Sequence, residues 1–122
     1  MQQYIDGYVF PISTDKLSVY KEVVKKVAEI WKEHGAINYT ENIYDDLSIE
    51  GTRSFVDVLA SKENETIIFG WIIFESRDAR DLAHKKVAED KRMAEIVSPL
   101  TDKTDPIFDA ERMAFGGFKP LF

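Results

Sequence analysis

Asp6 sits inside an apolar and aromatic run, Tyr4-Ile5-Asp6-Gly7-Tyr8-Val9-Phe10, and a carboxylate among such neighbours is well placed to do chemistry. Loss of water penalises its charged form and moves its pKa towards the range of a general acid or base. Asp6 is therefore read as a candidate catalytic group. The alternative is an ion pair with an arginine, within the chain or across a dimer, that fixes register. His84 follows Arg80 by one helical turn, so the two share a helix face and would hold an anionic ligand or pass a proton. With Lys85 and Lys86 beside them they fit an ordinary solvated face equally well. Tyr8, Phe69 and Trp71 would line a pocket for a flat organic molecule, or serve as interface anchors, where aromatic residues are also enriched. Arg112 offers a guanidinium either to Asp6 or to a ligand carboxylate. His34, next to Gly35, suits the negative end of a helix dipole better than a ligand role.

Composition removes other classes of chemistry. The chain has no cysteine and two histidines, which excludes thiol catalysis and disulfides and makes a zinc site an unsuitable reading. No phosphate-binding glycine loop, nucleophile elbow, metal-binding histidine pair or flavin signature occurs, so neither metal nor cofactor is expected. Acidic residues outnumber basic ones by 22 to 16, for a net charge of -6, and the bases alternate with acids; such a surface repels nucleic acid. No apolar stretch is long enough to span a bilayer. The expectation is a soluble cytoplasmic protein of one domain over 1–122, large enough to bury a core without staples.

The candidate residues need elements to position them. Residues 4–12 are β-branched and aromatic up to a proline boundary, as a first strand would be. Ser13 or Thr14 would cap a helix over 15–34, with Leu17, Tyr20, Val24, Val27 and Trp31 at spacings of three and four. Residues 36–44 alternate, Ile37, Tyr39 and Ile43 against Asn38, Thr40 and Asn42, and read as a strand. Residues 54–61 and 65–74 read as two strands of a hairpin joined through 62–64, the second wholly apolar from Ile67 to Phe74 and hence central. Ser76 would cap a second helix to about Asp90, followed by a short helix or turn through Ile96, a loop over 98–109 and a last strand over 112–118.

This order predicts an α+β domain with a split βαβ arrangement, ferredoxin-like, with an antiparallel sheet whose first and last strands are neighbours. Two helices cover one sheet face only, while the first and central strands are apolar on both, so a second copy of the chain is expected on the open face. Alternation separates Tyr4, Asp6, Tyr8 and Phe10 from Ile5, Gly7 and Val9, and Ile67, Phe69, Trp71 and Ile73 from Ile68, Gly70 and Ile72. The glycine-bearing faces suit close helix packing. Asp6, Tyr8, Phe69 and Trp71 are then expected together on the inter-sheet side, and Gly116 and Gly117 on opposite faces.

Four blocks carry a resemblance as well: Tyr4-Ile5-Asp6-Gly7-Tyr8; Lys32-Glu33-His34-Gly35-Ala36; Trp71-Ile72 followed by Ser76-Arg77-Asp78-Ala79-Arg80-Asp81; and Arg112-Met113-Ala114-Phe115-Gly116-Gly117-Phe118. They resemble successive blocks of the YbaA-like family, an uncharacterised bacterial family of the dimeric α/β-barrel superfamily. Lys91 departs from a proline in that pattern, and Ala110-Glu111 from a glycine-lysine pair. The resemblance implies a ferredoxin-like subunit that dimerises face to face as an α/β barrel, and no agreed activity. Similar antibiotic-biosynthesis monooxygenases use their barrel space for a flat substrate. Two functions follow as expectations: a homodimer that binds or transforms a small organic molecule without a tightly bound cofactor, or a noncatalytic interaction or stress-associated protein. In the second, the aromatic face only dimerises, and the acidic exterior or the loop over 45–53 is the working surface.

Overall fold

A computed structural model describes residues 2–122. Strand β1, Tyr4–Ser13, leads through a 3₁₀ turn into helix α1, Leu17–Glu33; β2 is Asn38–Ile43, α2 Phe55–Leu59 and β3 Glu65–Phe74. Helices α3, Arg77–Glu89, and α4, Lys91–Val97, precede the last strand β4, Ala114–Phe118. The four strands form one antiparallel sheet in the order β2-β3-β1-β4. This is the ferredoxin-like α+β architecture, with β1 beside β4 and the two longest strands at the centre.

Local signals account for most boundaries. Ser76 accepts a hydrogen bond from the Ala79 backbone N–H at 3.1 Å and starts α3, and Asp90 accepts from the Arg92 N–H to start α4. Ser13 caps nothing; its hydroxyl donates to the Asp15 carboxylate. The expected strand over 54–61 is instead the short helix α2. Ser54 caps it through the Val56 N–H, and Ala60 ends it in the left-handed region at φ 51°. Phe55, Val56 and Val58 give this segment the composition of a strand, but β1 and β2 already occupy both edges of β3, so a hairpin partner has no place there.

One sheet face is covered by α1, α3 and the segment after α4. Its core joins Tyr8, Phe10 and Ile12 of β1, Ile68, Ile72 and Phe74 of β3, Tyr20 and Val23 of α1, Ala83 of α3, and Leu100. Phe10 meets Tyr20 and Phe108 edge to face, at 5.7 and 5.2 Å between ring centres; a fully buried phenylalanine contributes roughly 1.5–3 kcal/mol.

The register corrects the expected faces of β1. Tyr8 lies opposite Gly70 and Asp6 opposite Ile72, and directly opposed residues share a face. Asp6, Tyr8 and Phe10 therefore point to the helices with Ile68, Gly70 and Ile72. Gly7 faces the open side with Phe69 and Trp71. Alternation within one strand yields two faces and does not say which meets the helices. The physical reason for this phase is bulk: the Tyr8 ring lies flat across Gly70, where a Cβ would stand 2.5 Å from it.

Candidate functional site

The sequence-predicted pocket residues divide between the two faces. On the open face, Phe69, Trp71, Ile5, Val9 and Phe118 wall a shallow apolar basin of about 620 Å³. Phe69 and Phe118 are 43% and 59% exposed, and no charged side chain lines the basin. It offers burial and stacking, with nothing to move a proton.

Asp6 is wholly buried on the covered face. Arg80 Nε donates to its Oδ1 at 2.9 Å, and His84 Nε2 lies 2.6 Å from its Oδ2; since a carboxylate only accepts, the His84 Nε2 carries the proton. The Arg80 guanidinium is stacked under the Tyr4 ring at 5.3 Å. The His84 ring packs edge-on against Trp31 and Phe115, at 5.2 and 6.2 Å. Arg80 and His84, expected to hold an anionic ligand, thus hold the carboxylate of Asp6, one at each oxygen, where no surface is exposed for a ligand to reach. Sequence reading offered the arginine pair as the alternative to a catalytic Asp6, and the geometry has that form.

Arg112 does not reach Asp6. It donates to Glu65 at 2.5 and 3.0 Å and to the Ala60 carbonyl at 3.2 Å, and its guanidinium holds the Glu65 carboxyl below the usual carboxylate range. Glu65 opens β3, whereas Asp6 lies opposite Ile72; at the rise of a strand the two positions are about 23 Å apart. His34 bonds Asp90 at 2.8 Å and so ties the end of α1 to the start of α4.

The second polar cluster on the covered face escaped the sequence reading. Glu41 of β2 is opposite Gly70, which is itself opposite Tyr8, and the missing side chain at Gly70 lets the Tyr8 ring reach across β3. The Tyr8 and Tyr39 hydroxyls donate to Glu41 Oε2 at 2.6 and 3.0 Å, and the Tyr20 hydroxyl donates to Oε1. Burial, reinforced by the nearby Glu41 charge, raises the pKa of all three phenols far above normal, so they remain neutral donors. A signal was present: Glu41 alternates in phase with Ile37, Tyr39 and Ile43, an acid in an apolar stripe just as Asp6 is.

This cluster closes one end of a partly open cavity of about 290 Å³ between the sheet and α1, whose remaining walls include Val24, Val27, Trp31, Ile72, Phe108 and Phe115. On the other side of Tyr20 and Val24, Glu41 also borders a groove of about 270 Å³ that Lys21 lines. Among the described residues no group of three or more His, Asp or Glu is placed to hold a metal ion, and no helix is long and apolar enough to cross a membrane.

With this geometry in view, comparisons with known proteins place the chain. The model of the family described as "Protein of unknown function (DUF1428)" matches residues 3–110. The uncharacterized protein YbaA of Escherichia coli K12 is 33% identical over 119 residues, covering 98% of this chain and 97% of that protein. Among solved structures, a NIPSNAP family protein of unknown function from Agrobacterium tumefaciens superposes with a TM-score of 0.60 at 16% identity, over 98% of this chain and 88% of its own. A dimeric ferredoxin-like protein from an uncultured marine organism gives 0.61 at 7%, over 100% and 98%. SnoaB, a cofactor-independent oxygenase from Streptomyces nogalater, gives 0.61 at 11%, over 100% and 96%. At such identities these structures are similar in fold alone. The family model spans the first three of the four sequence blocks and the YbaA relative nearly the whole chain, and the chain belongs to the DUF1428 family.

Proposed function

We propose that this protein is a homodimer that binds a small, largely apolar organic molecule in the cavity between the sheet and α1. The observation that carries the reading is that cavity: mostly aromatic and aliphatic walls with a few polar groups, Glu41 and its three tyrosines together with Thr101, the composition of a small-molecule site. It replaces the pocket expected around Asp6, Tyr8, Phe69 and Trp71, of which only Tyr8 belongs to it. The open face takes the other role weighed for the aromatic residues, dimerisation. Its support is the exposed apolar basin with Phe69 and Phe118 and the description of one fold neighbour as dimeric. SnoaB supports the reading only in that the same fold there serves an enzyme.

The test is a thermal-shift series with naphthalene-sized probes on the wild type and on a cavity-filling Val27→Trp variant. Binding raises Tm in the wild type and not in the variant. Probes that shift both equally bind elsewhere and sink the cavity reading. Sedimentation tests the dimer: Trp71→Glu gives a folded monomer, and a wild type that already sediments as a monomer ends that half of the proposal.

A further inference from the structure

We infer that the cavity selects a cationic amine carrying an apolar, ring-bearing body, and that Glu41 is the residue that selects it. The inference rests on the reading that this cavity binds a small molecule, and adds the chemical class. Glu41 brings a carboxylate to a cavity whose walls hold no lysine, arginine or histidine, and among the described residues it makes no ion pair. Lys21 is exposed and lines only the groove on the other side of Tyr20 and Val24. Asp6, on the same sheet face, has an arginine and a histidine. A partly exposed carboxylate on an apolar cavity wall, without a counter-ion, leaves its charge for a cationic ligand to pair with.

Hydrogen-bond capacity points the same way. A carboxylate has about four lone-pair positions. The phenols of Tyr8, Tyr20 and Tyr39 occupy three, leaving room for one N–H, and each phenol oxygen can accept another. The phenols disperse the charge of Glu41 without cancelling it, because they are neutral. Trp31, Phe108 and Phe115 on the remaining walls supply aromatic area against which a ring-bearing body packs. An anionic ligand meets repulsion here, and a neutral alcohol makes the hydrogen bond without the charge. A cavity of about 290 Å³ holds a two-ring molecule.

Three probes of nearly equal shape test this by calorimetric titration: 1-naphthylmethylamine, 1-naphthalenemethanol and 1-naphthoate. The wild type is expected to bind the amine about tenfold more tightly than the alcohol, the difference between a charge-assisted and a neutral hydrogen bond, and the carboxylate weakest. In Glu41→Gln the amine loses that advantage while the alcohol still binds. Tyr39→Phe keeps the charge and hence the preference for the amine, a control should Glu41→Gln fold poorly. An amine that binds no better than the alcohol in the wild type, or a preference that survives Glu41→Gln, overturns the inference while the cavity stands as a site. Failure of all three probes overturns the cavity reading and the inference with it.

Discussion

Two carboxylates face the helices from the same sheet, and each sits in an apolar strand stripe. Asp6 has no exposed surface, and each of its oxygens meets a nitrogen donor, Arg80 Nε or His84 Nε2. Glu41 is partly exposed, is bonded by neutral phenols, and borders a cavity. The first is a closed structural unit that fastens α3 to β1. The second has no cationic partner among the described residues and lies on a cavity wall that a ligand can reach. Residue type and strand context are alike in the two cases; the difference comes from what the neighbouring strand and helix bring opposite.

The largest effect expected from this contrast is on stability. Asp6→Ala takes the buried partner away from both Arg80 Nε and His84 Nε2, leaving the guanidinium only its contact with the exposed Asp81 carboxylate, and should cost about 3–5 kcal/mol, as loss of one partner from a buried pair does. Glu41→Gln keeps a hydrogen-bond acceptor in place and exchanges charge-assisted bonds for neutral ones, so about 2 kcal/mol or less is expected. Urea unfolding of the two variants measures both. Equal costs would erase the distinction between a structural and an available carboxylate.

A pH experiment sharpens the contrast, because the phenols that bond a carboxylate all belong to the Glu41 cluster. Tyr8, Tyr20 and Tyr39 have folded-state pKa values raised above the unfolded value near 10, first by burial and then by neighbouring charge. The unfolded chain therefore releases these protons first as pH rises. Their contribution is complete below about pH 10 and falls above it, by up to about 1.4 kcal/mol per pH unit for each phenol. Tyr39→Phe should flatten the decline in urea-unfolding free energy between pH 10 and 11 by up to that amount. Absorbance at 295 nm should show these phenols ionising only with unfolding. A folded protein in which all five tyrosines titrate together near pH 10 would mean that the cluster is wet and open.

Much of this frame was legible in the sequence, and the failures share a cause. β1, α1 and α3 follow from apolar periodicity and serine or glycine punctuation, and eight apolar residues in a row marked β3 as central. The segment over 54–61 misled because Phe55, Val56 and Val58 favour a strand locally while the sheet has no edge for it on β3. The pairing of Asp6 with Arg80 and His84 spans 74 and 78 residues, and sequence spacing carries no such distance. The Glu41 cluster draws on two strands and a helix, and only the register across Tyr8, Gly70 and Glu41 makes it a unit.

That register is also open to the smallest test. Gly70 and Gly117 each lie beneath a tyrosine on the covered face, where a Cβ would stand 2.5 Å from the Tyr8 ring or from the Tyr4 hydroxyl respectively. The two tyrosines differ in freedom. Tyr8 is 6% exposed and fixed to Glu41 by its hydroxyl, so it has nowhere to move. Tyr4 is half-buried and rests on Arg80 without a hydroxyl partner among the described residues. Gly70→Ala should therefore cost about 1–3 kcal/mol, the range for overpacking a core, and pull Tyr8 off the carboxylate, weakening the binding of cavity probes as well. Gly117→Ala lets Tyr4 swing towards solvent and should cost under about 1 kcal/mol, with probe binding unchanged. Unfolding and probe titration on both variants decide the matter. If Gly117→Ala is the more damaging, the Asp6 side of the sheet is the tighter one, and the Tyr8 ring is not what holds the Glu41 cluster in place.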